Sequence, residues 1–152
     1  AANGETNLIY LEIDSGPYLV KPSTEKFDNG ERPLNLHKNN LVWLNKSDLH
    51  DIKAKGVLST YVWGSTSTMG GSMLKLASGF EGSITTTASE FRAVVISGEV
   101  EYSSKDLETS QTLKAASYLE SEGSFTHQMM NNSEADVTIY IRTNGKYQVN
   151  EK

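Results

Sequence analysis

The sequence predicts an all-β domain folded as an antiparallel sandwich or barrel. Short runs rich in Val, Ile, Leu and Tyr are separated by clusters of Gly, Asn, Ser and Pro, a pattern typical of strands joined by turns. Helical periodicity is weak, and the single helical candidate is the turn at residues 47–50. Many short strands at regular spacing indicate a sandwich or barrel. The predicted strands are 8–12, 18–20, 41–44, 58–63, 73–77, 91–96 and 137–142.

Composition excludes several classes of protein. The chain has 152 residues, 37% of them hydrophobic, which is enough for one domain with a real core. Its net charge of −5 argues against a nucleic-acid partner, since such binders usually carry a basic surface. No apolar run approaches the roughly 20 residues of a transmembrane helix, so no membrane span is expected. The absence of cysteine excludes disulfides and thiolate chemistry.

The first part of the chain differs from the rest. All three prolines lie within residues 1–40, and residues 41–152 contain none. Residues 9–20 match residues 139–149 with one gap. The start of the chain therefore resembles the end of a domain whose second copy ends at the C-terminus. Two convergent hairpins are the alternative explanation. We predict terminal strands of a preceding repeat at 1–22, a connector at 23–40 and a complete β domain at 41–152.

The predicted terminal strands have a consequence for association. Residues 8–20 are too apolar for a solvated tail, so we expect them to pair with an edge strand. That edge belongs either to this chain or to a neighbouring molecule. A homo-oligomer, or pairing with the preceding repeat, is therefore expected.

Two stretches resemble the paired motifs of the cupin superfamily. The spacing Gly79-x5-Thr85-x-Thr87-x3-Phe91-x6-Gly98 is similar to the first cupin motif, in which an H-x-H pair and a Glu precede a glycine turn. Residues 121–131, with a Gly turn before His127, resemble the second motif.

The resemblance also has a narrower form. Residues 91–100 and 140–145 look like segments of an uncharacterised family of duplicated, two-repeat cupins in bacteria. The resemblance implies a cupin-type jelly roll at 41–152, preceded by strands of another repeat. Because members of that family are often secreted, it implies a periplasmic or extracellular location, with the cytoplasm as the alternative.

The departures from the cupin motifs predict that no metal is bound. Thr85 and Thr87 occupy the H-x-H positions, and Phe91 occupies the Glu position. A hydroxyl is a poor ligand for a transition metal and a phenyl ring is none, which leaves His127 alone where three or four ligands are normal. We therefore expect no metal and no other cofactor.

The motif positions nevertheless predict a pocket. Thr85, Thr87, Phe91 and His127 are expected to converge inside the barrel, where hydroxyls, an imidazole and an aromatic wall would suit a small polar organic ligand. A buried structural role is the alternative for His127. Trp63 and Tyr102 are further candidates for the pocket wall or for the core.

Several charged and titratable side chains are expected outside this pocket. Strand alternation puts Glu90 and Arg92 on the face opposite Phe91, where an ion pair is the favoured interpretation. His37 and His50 are expected to be solvated. Lys75 faces either an acidic ligand in the interior or solvent, and the sequence leaves both open.

The sequence favours a binding protein over an enzyme and assigns no catalytic residue. It contains no nucleophile elbow, phosphate-binding loop or paired-carboxylate site. The leading hypothesis is a cupin-like protein with a degenerate metal site that binds a small polar organic ligand in the barrel. One alternative is a metal-dependent cupin enzyme of the dioxygenase or isomerase type. The other is a structural half of a bicupin whose active site lies in the missing repeat.

Overall fold

The chain forms two compact units, Ala1–Asn40 and Leu41–Lys152. The computed structural model describes residues 4, 10–11, 21–25, 36–47, 50–64 and 68–152. In the first unit the regular elements described are two 3-10 helices, Ser23–Glu25 and Lys38–Asn40. The strands expected at 8–12 and 18–20, and their expected edge pairing, lie outside the described residues apart from Tyr10 and Leu11. Within the described ranges, no helix is long and apolar enough to cross a membrane.

The described part of the second unit consists of strands joined by turns. Gly98 lies between the fifth and sixth strands at a φ of 80°, a left-handed conformation that favours glycine. The strands are β1 Asp51–Ile52, β2 Val57–Gly64, β3 Gly70–Leu76, β4 Glu81–Thr86, β5 Phe91–Ser97, β6 Glu99–Ser103, β7 Gln111–Lys114, β8 Tyr118–Ser121, β9 Phe125–Met130, β10 Val137–Thr143 and β11 Tyr147–Glu151.

These strands pair into two sheets. One sheet has the order β1-β11-β4-β9-β6-β7, and the other has the order β2-β3-β10-β5-β8. All pairs are antiparallel except β1 with β11. Because β3, β4, β5 and β6 alternate between the sheets, as do β8 to β11, the chain winds as a jelly roll. The predicted all-β sandwich is confirmed.

The core lies between the two sheets. Side chains alternate between the two faces of a strand, so every second residue along each strand can point into the space between the sheets. Burial of these apolar side chains supplies the main favourable term in folding. The buried cluster draws on both sheets and comprises Val57, Leu74, Leu76, Phe80, Ile84, Phe91, Ala93, Val95, Val100, Tyr102, Leu119, Met129, Val137, Ile139, Ile141, Tyr147 and Val149.

The sequence located the apolar strands and missed the polar ones. β2, β3, β5 and β10 fall on predicted segments, whereas segment 41–44 contributes only an isolated bridge between Leu44 and Ser59. The remaining strands are not among the predicted segments. In β9, for example, His127 and Met129 point inward and alternate with exposed Gln128 and Met130. Because each face carries one polar residue and one Met, the strand lacks the apolar alternation that would predict it.

Candidate functional site

His127 is buried at the centre of the interior with both ring nitrogens occupied. Its side chain is 0% exposed on β9. Nδ1 lies 3.0 Å from the hydroxyl of Tyr102, and Nε2 lies 3.0 Å from Oγ of Ser121. A neutral imidazole has one N–H donor and one acceptor, and a hydroxyl can serve either. The hydrogen-bonding capacity of His127 is therefore met within the protein.

Aromatic rings surround this imidazole. Phe91 stacks on it with ring centroids 4.9 Å apart, and the Phe125 centroid lies 4.7 Å away. Tyr102 adds a third ring at 5.9 Å. Burial lowers the pKa of His127 from 6.5 to about 4, because removal from water penalises the charged form. His127 is therefore neutral at neutral pH.

The expectation that Thr85 and Thr87 converge with His127 is wrong. His127 is paired in register with Ile84, whereas Thr85 is paired with Thr126. Ile84 belongs to the buried core, while Thr85 is only partly buried and Thr87 is exposed. Because neighbouring residues point to opposite faces, Thr85 lies on the outer face of the sheet. The motif spacing is out of phase with the strand by one residue.

Thr86 takes the interior position instead. Its hydroxyl accepts a hydrogen bond from the backbone N–H of Ala88 at 3.1 Å and donates to the carbonyl of Lys146 at 3.3 Å. The side chain is buried and fully engaged with the backbone. Thr86 therefore stabilises the turn after β4.

The interior does not fit a cupin metal. The inward side chains at the motif positions are those of Ile84, Thr86, Phe91 and His127. One imidazole with both nitrogens hydrogen-bonded provides no coordination set. In the described ranges no three His, Cys, Asp or Glu side chains come together as a metal site would require. The side chains at these positions therefore do not support a metal-dependent reaction.

The charged residues beside Phe91 lie outside the interior, as expected. Arg92 and Glu90 form an ion pair with a 3.0 Å distance, and Glu90 also pairs with Arg142. Lys75, which the sequence left open, places its Nζ 4.4 Å from the ring centroid of Trp43. A cation over an aromatic face is a favourable contact.

His50 is buried, which corrects the expectation that it is solvated. It is 7% exposed, and its ring stacks on Tyr147 with centroids 3.8 Å apart. Burial is the main cause that lowers its pKa to about 4, and the charge of Lys146 contributes. Its Nδ1 has no hydrogen-bond partner. The pairing of Asp51 with Gln148 brings His50 beside Tyr147, a contact that no local sequence pattern indicates.

Outside the barrel, a groove of about 620 Å³ lies against β4 and β9. We call it the outer groove, and its lining residues are Thr85, Thr86, Thr87, Ser103, Ser104, Lys105, Ser124, Phe125, Thr126 and Gln128. Lys105 places its Nζ over the ring of Phe125, 5.2 Å from the centroid. The ring of Phe125 also contacts His127, so Phe125 separates the groove from the interior.

A second groove of about 730 Å³ adjoins the outer groove and shares Ser103 and Gln128 with it. We call it the acidic groove. Glu81 and Glu101 contribute carboxylates, and Glu81 is paired with Lys152 at 2.5 Å. The lining residues are Glu81, Gly82, Glu101, Tyr102, Ser103, Ser110, Gln128, Met129, Met130, Asn132 and Lys152.

Sequence reasoning found part of this arrangement. Tyr102 was a candidate for the pocket wall, and it contacts His127. Ser121, Phe125 and Lys105 were missed. The signal for Phe125 was present, because it lies two residues before His127 and therefore shares its face of the strand. Lys105 lies in the turn between β6 and β7, where sequence alone does not indicate a contact.

Residues 1–150 match a family model described as "Domain of unknown function (DUF4437)". The chain belongs to this family. A search of curated proteins finds no match.

Solved structures similar to this DUF4437 chain have the cupin fold. The polyketide cyclase RemF from Streptomyces resistomycificus is 7% identical, with a TM-score of 0.59 over 72% of this chain and 77% of that one. An RmlC-like cupin from Ralstonia eutropha is 14% identical, with a TM-score of 0.56 over 77% and 78%. KdgF from a Halomonas species is 11% identical, with a TM-score of 0.55 over 71% and 92%. At these identities the likeness shows the fold alone, and it confirms the predicted cupin-type jelly roll.

Proposed function

We propose that this DUF4437 domain is a metal-independent cupin that binds a small polar organic ligand in the outer groove. The carrying observation is the groove itself, a concavity of about 620 Å³ in which most of the lining residues are Ser or Thr. This volume is within the range of small-molecule sites. Thr85 and Thr87, expected as pocket residues, contribute to it from the outside of the barrel.

The packing of the interior argues against a ligand beside His127. The interior hydroxyls of Tyr102 and Ser121 already bond the imidazole, at 3.0 Å each. A ligand there would have to displace these bonds and the stacked ring of Phe91. Protein interiors are packed to near crystal density, so such a displacement carries a large cost.

The lining of the outer groove fits a polar ligand. Hydroxyl groups donate and accept hydrogen bonds, and the amide of Gln128 does both. The hydroxyls of Thr85 and Thr126 lie 3.5 Å apart, at the limit of a hydrogen bond, so both keep capacity for a ligand. Phe125 adds an apolar surface for carbon atoms. The exposed surface of the groove is more apolar than polar, as is usual for small-molecule sites, so the hydroxyls would orient a ligand that also carries carbon surface.

Binding is favoured over catalysis because the available base is weak. Oγ of Ser121 and Nε2 of His127 are at nucleophile–base distance, 3.0 Å. The pKa of His127, lowered to about 4, makes it a poor base at neutral pH, and Ser121 is only 7% exposed. The group on Nδ1 is the neutral hydroxyl of Tyr102 rather than a carboxylate. This pair therefore acts as a structural hydrogen bond.

The proposal is tested by NMR titration of the full chain with glycerol, glucose, citrate and ethanolamine, using toluene as an apolar control. We expect at least one polar probe to shift the amide signals of Thr85, Thr126 and Gln128. Thr126→Val should weaken that binding about fivefold by removing one hydrogen bond. Thr138→Val, on β10 in the other sheet, is the matched control and should leave the binding unchanged.

Two results would contradict the proposal. One is that no polar probe shifts the groove amides at millimolar concentration. The other is that the shifts centre on His127 and Ser121, which would move the ligand site into the barrel.

A further inference from the structure

We infer that the outer groove selects an anionic ligand, a hydroxylated organic acid whose carboxylate binds Lys105. This inference rests on the proposed function and adds the charge and chemical class of the ligand. It follows from three features of the described lining of the groove: its one cation, its lack of carboxylates and its side-chain hydroxyls.

Lys105 lines the groove and has no anionic partner among the described residues. Its Nζ lies over the Phe125 ring, 5.2 Å from the centroid, which holds the ammonium group at the groove wall. The described ion pairs involve other lysines, among them Lys21, Lys53 and Lys152, and none includes Lys105. An ammonium group has three N–H donors, so Lys105 can donate to a ligand.

The described lining of the outer groove contains no Asp or Glu. A bound carboxylate would therefore meet one positive charge and no like charge among these residues. Hydrogen bonds between an ammonium and a carboxylate are roughly twice as strong as neutral ones. The charge of the lining residues therefore favours an anion, although Asp106 follows Lys105 in the chain and its charge acts on Tyr102, and the whole chain has a net charge of −5.

The hydrogen-bonding side chains beside Lys105 determine which polar groups the rest of the ligand needs. Thr85 and Thr126 lie side by side in register on the outer face, and Gln128 follows two residues along β9. Two residues of a strand span about 7 Å, so these groups extend away from the Phe125 end at the scale of a small molecule. A ligand that uses them needs hydroxyls beyond its carboxylate.

The acidic groove provides an internal contrast. It shares Ser103 and Gln128 with the outer groove but contains the carboxylates of Glu81 and Glu101. A cationic probe should therefore move toward the acidic groove and an anionic one toward Lys105. A comparison of probe binding in the two grooves therefore distinguishes selectivity for charge from non-specific binding to this face.

The test uses three probes with one sugar scaffold: glucuronate, glucose and glucosamine, which are anionic, neutral and cationic at pH 7. Each is titrated into the full chain, and amide shifts are followed by NMR. We expect glucuronate to bind in the outer groove about tenfold more tightly than glucose, since a charge-assisted bond is worth about one decade in affinity. Its affinity should fall as salt is added.

Lys105→Met removes the charge while it keeps most of the apolar stem. It should abolish the preference for glucuronate over glucose. Lys114→Met is the matched control, because Lys114 is an exposed lysine on β7 that lines neither groove. It should leave the preference intact.

The outcomes distinguish this inference from the proposal beneath it. Equal binding of glucuronate and glucose in the outer groove, or a preference that survives Lys105→Met, would overturn the anionic ligand while polar-ligand binding stands. Glucosamine as the tightest probe in that groove would overturn it in the same way. Failure of all three probes to shift the groove amides would overturn the inference, and the wider probe panel would then decide the proposed function.

Discussion

The two faces of strand β9 have different roles, although its residues alternate between them one by one. His127 is fully buried, is stacked against Phe91 and has both nitrogens bonded within the protein. Thr126 and Gln128, its neighbours in sequence, line the outer groove beside Lys105. The inner face therefore contributes packing and hydrogen bonds that are satisfied within the protein. The outer face presents donors and acceptors that can bond a ligand.

This difference indicates where to look for function in a cupin-type fold that lacks a set of metal ligands. The position that would hold a metal is filled here by aromatic rings, so the barrel centre contributes stability. On β9, the hydrogen-bonding side chains that stay available to a ligand are the ones that meet solvent. The comparison predicts that changes to the inner face alter the free energy of unfolding and that changes to the outer face alter ligand affinity.

Acidification should produce the largest loss of stability. His50 and His127 have pKa values of about 4 in the folded chain, against 6.5 when exposed. Below pH 6.5 the unfolded chain takes up protons that the folded chain refuses, so stability is full above 6.5 and falls until about pH 4. Each histidine should contribute up to about 3 kcal/mol.

Denaturant unfolding at pH 7.5, 6 and 4.5 measures this loss. His127→Gln should reduce the pH dependence, which separates the histidine contribution from that of the carboxylates. An unfolding free energy in the variant with the same pH dependence as the parent would contradict the assignment to His127.

His127→Ala should be the most destabilising single change on β9. It leaves a cavity among Phe91 and Phe125 and two unpaired hydroxyls, and we expect a loss of about 3 kcal/mol. Gln128→Ala, at the next residue but on the exposed face, should change stability by no more than about 0.5 kcal/mol. Urea unfolding of the two variants tests this, and similar losses would erase the contrast between the faces.

Ser121→Ala should have a smaller effect on the inner face. It leaves Nε2 of His127 without a partner, at a cost of about 1 kcal/mol. Ser124→Ala, in the exposed turn before β9, should be nearly neutral in stability. The same unfolding measurement checks both. If Ser124→Ala were the more damaging change, the inner hydrogen bonds would not be the stabilising set.

Added Zn²⁺ or Mn²⁺ should have the smallest effect, leaving the melting temperature of the domain unchanged. A metal that bound the folded state would raise it in proportion to the logarithm of metal concentration. Calorimetry with and without the metals, alongside elemental analysis of the purified protein, provides the measurement. About one metal per chain, lost in His127→Gln, would restore the metal-dependent enzyme as the leading hypothesis.

Much of the architecture could be read directly from the residues. Segments 91–96 and 137–142 are apolar enough to mark central strands, and they became β5 and β10. The placement of Glu90 and Arg92 opposite Phe91 followed from the two-residue period and is confirmed by their ion pair. These features depend on local pattern, which a sequence carries in full.

The site depended on information that the local pattern lacks. Residues 84–87 read Ile-Thr-Thr-Thr, and consecutive threonines leave the inward phase of the strand ambiguous. A shift of one residue reverses the face of every side chain, and here the pairing of Ile84 with His127 decided that phase. The same dependence buried His50, because β1 pairs with β11 from the far end of the chain.

By itself the sequence determined an all-β jelly roll, a histidine at a motif position directed into the barrel and the absence of a complete set of metal ligands at the motif positions. Only the tertiary structure decided that Thr85 and Thr87 face outward, that Tyr102 and Ser121 complete the bonds of His127, and that Lys105 stands over Phe125. The reason is physical: alternation and apolar content are local, whereas register and loop placement arise from contacts between residues distant in the chain.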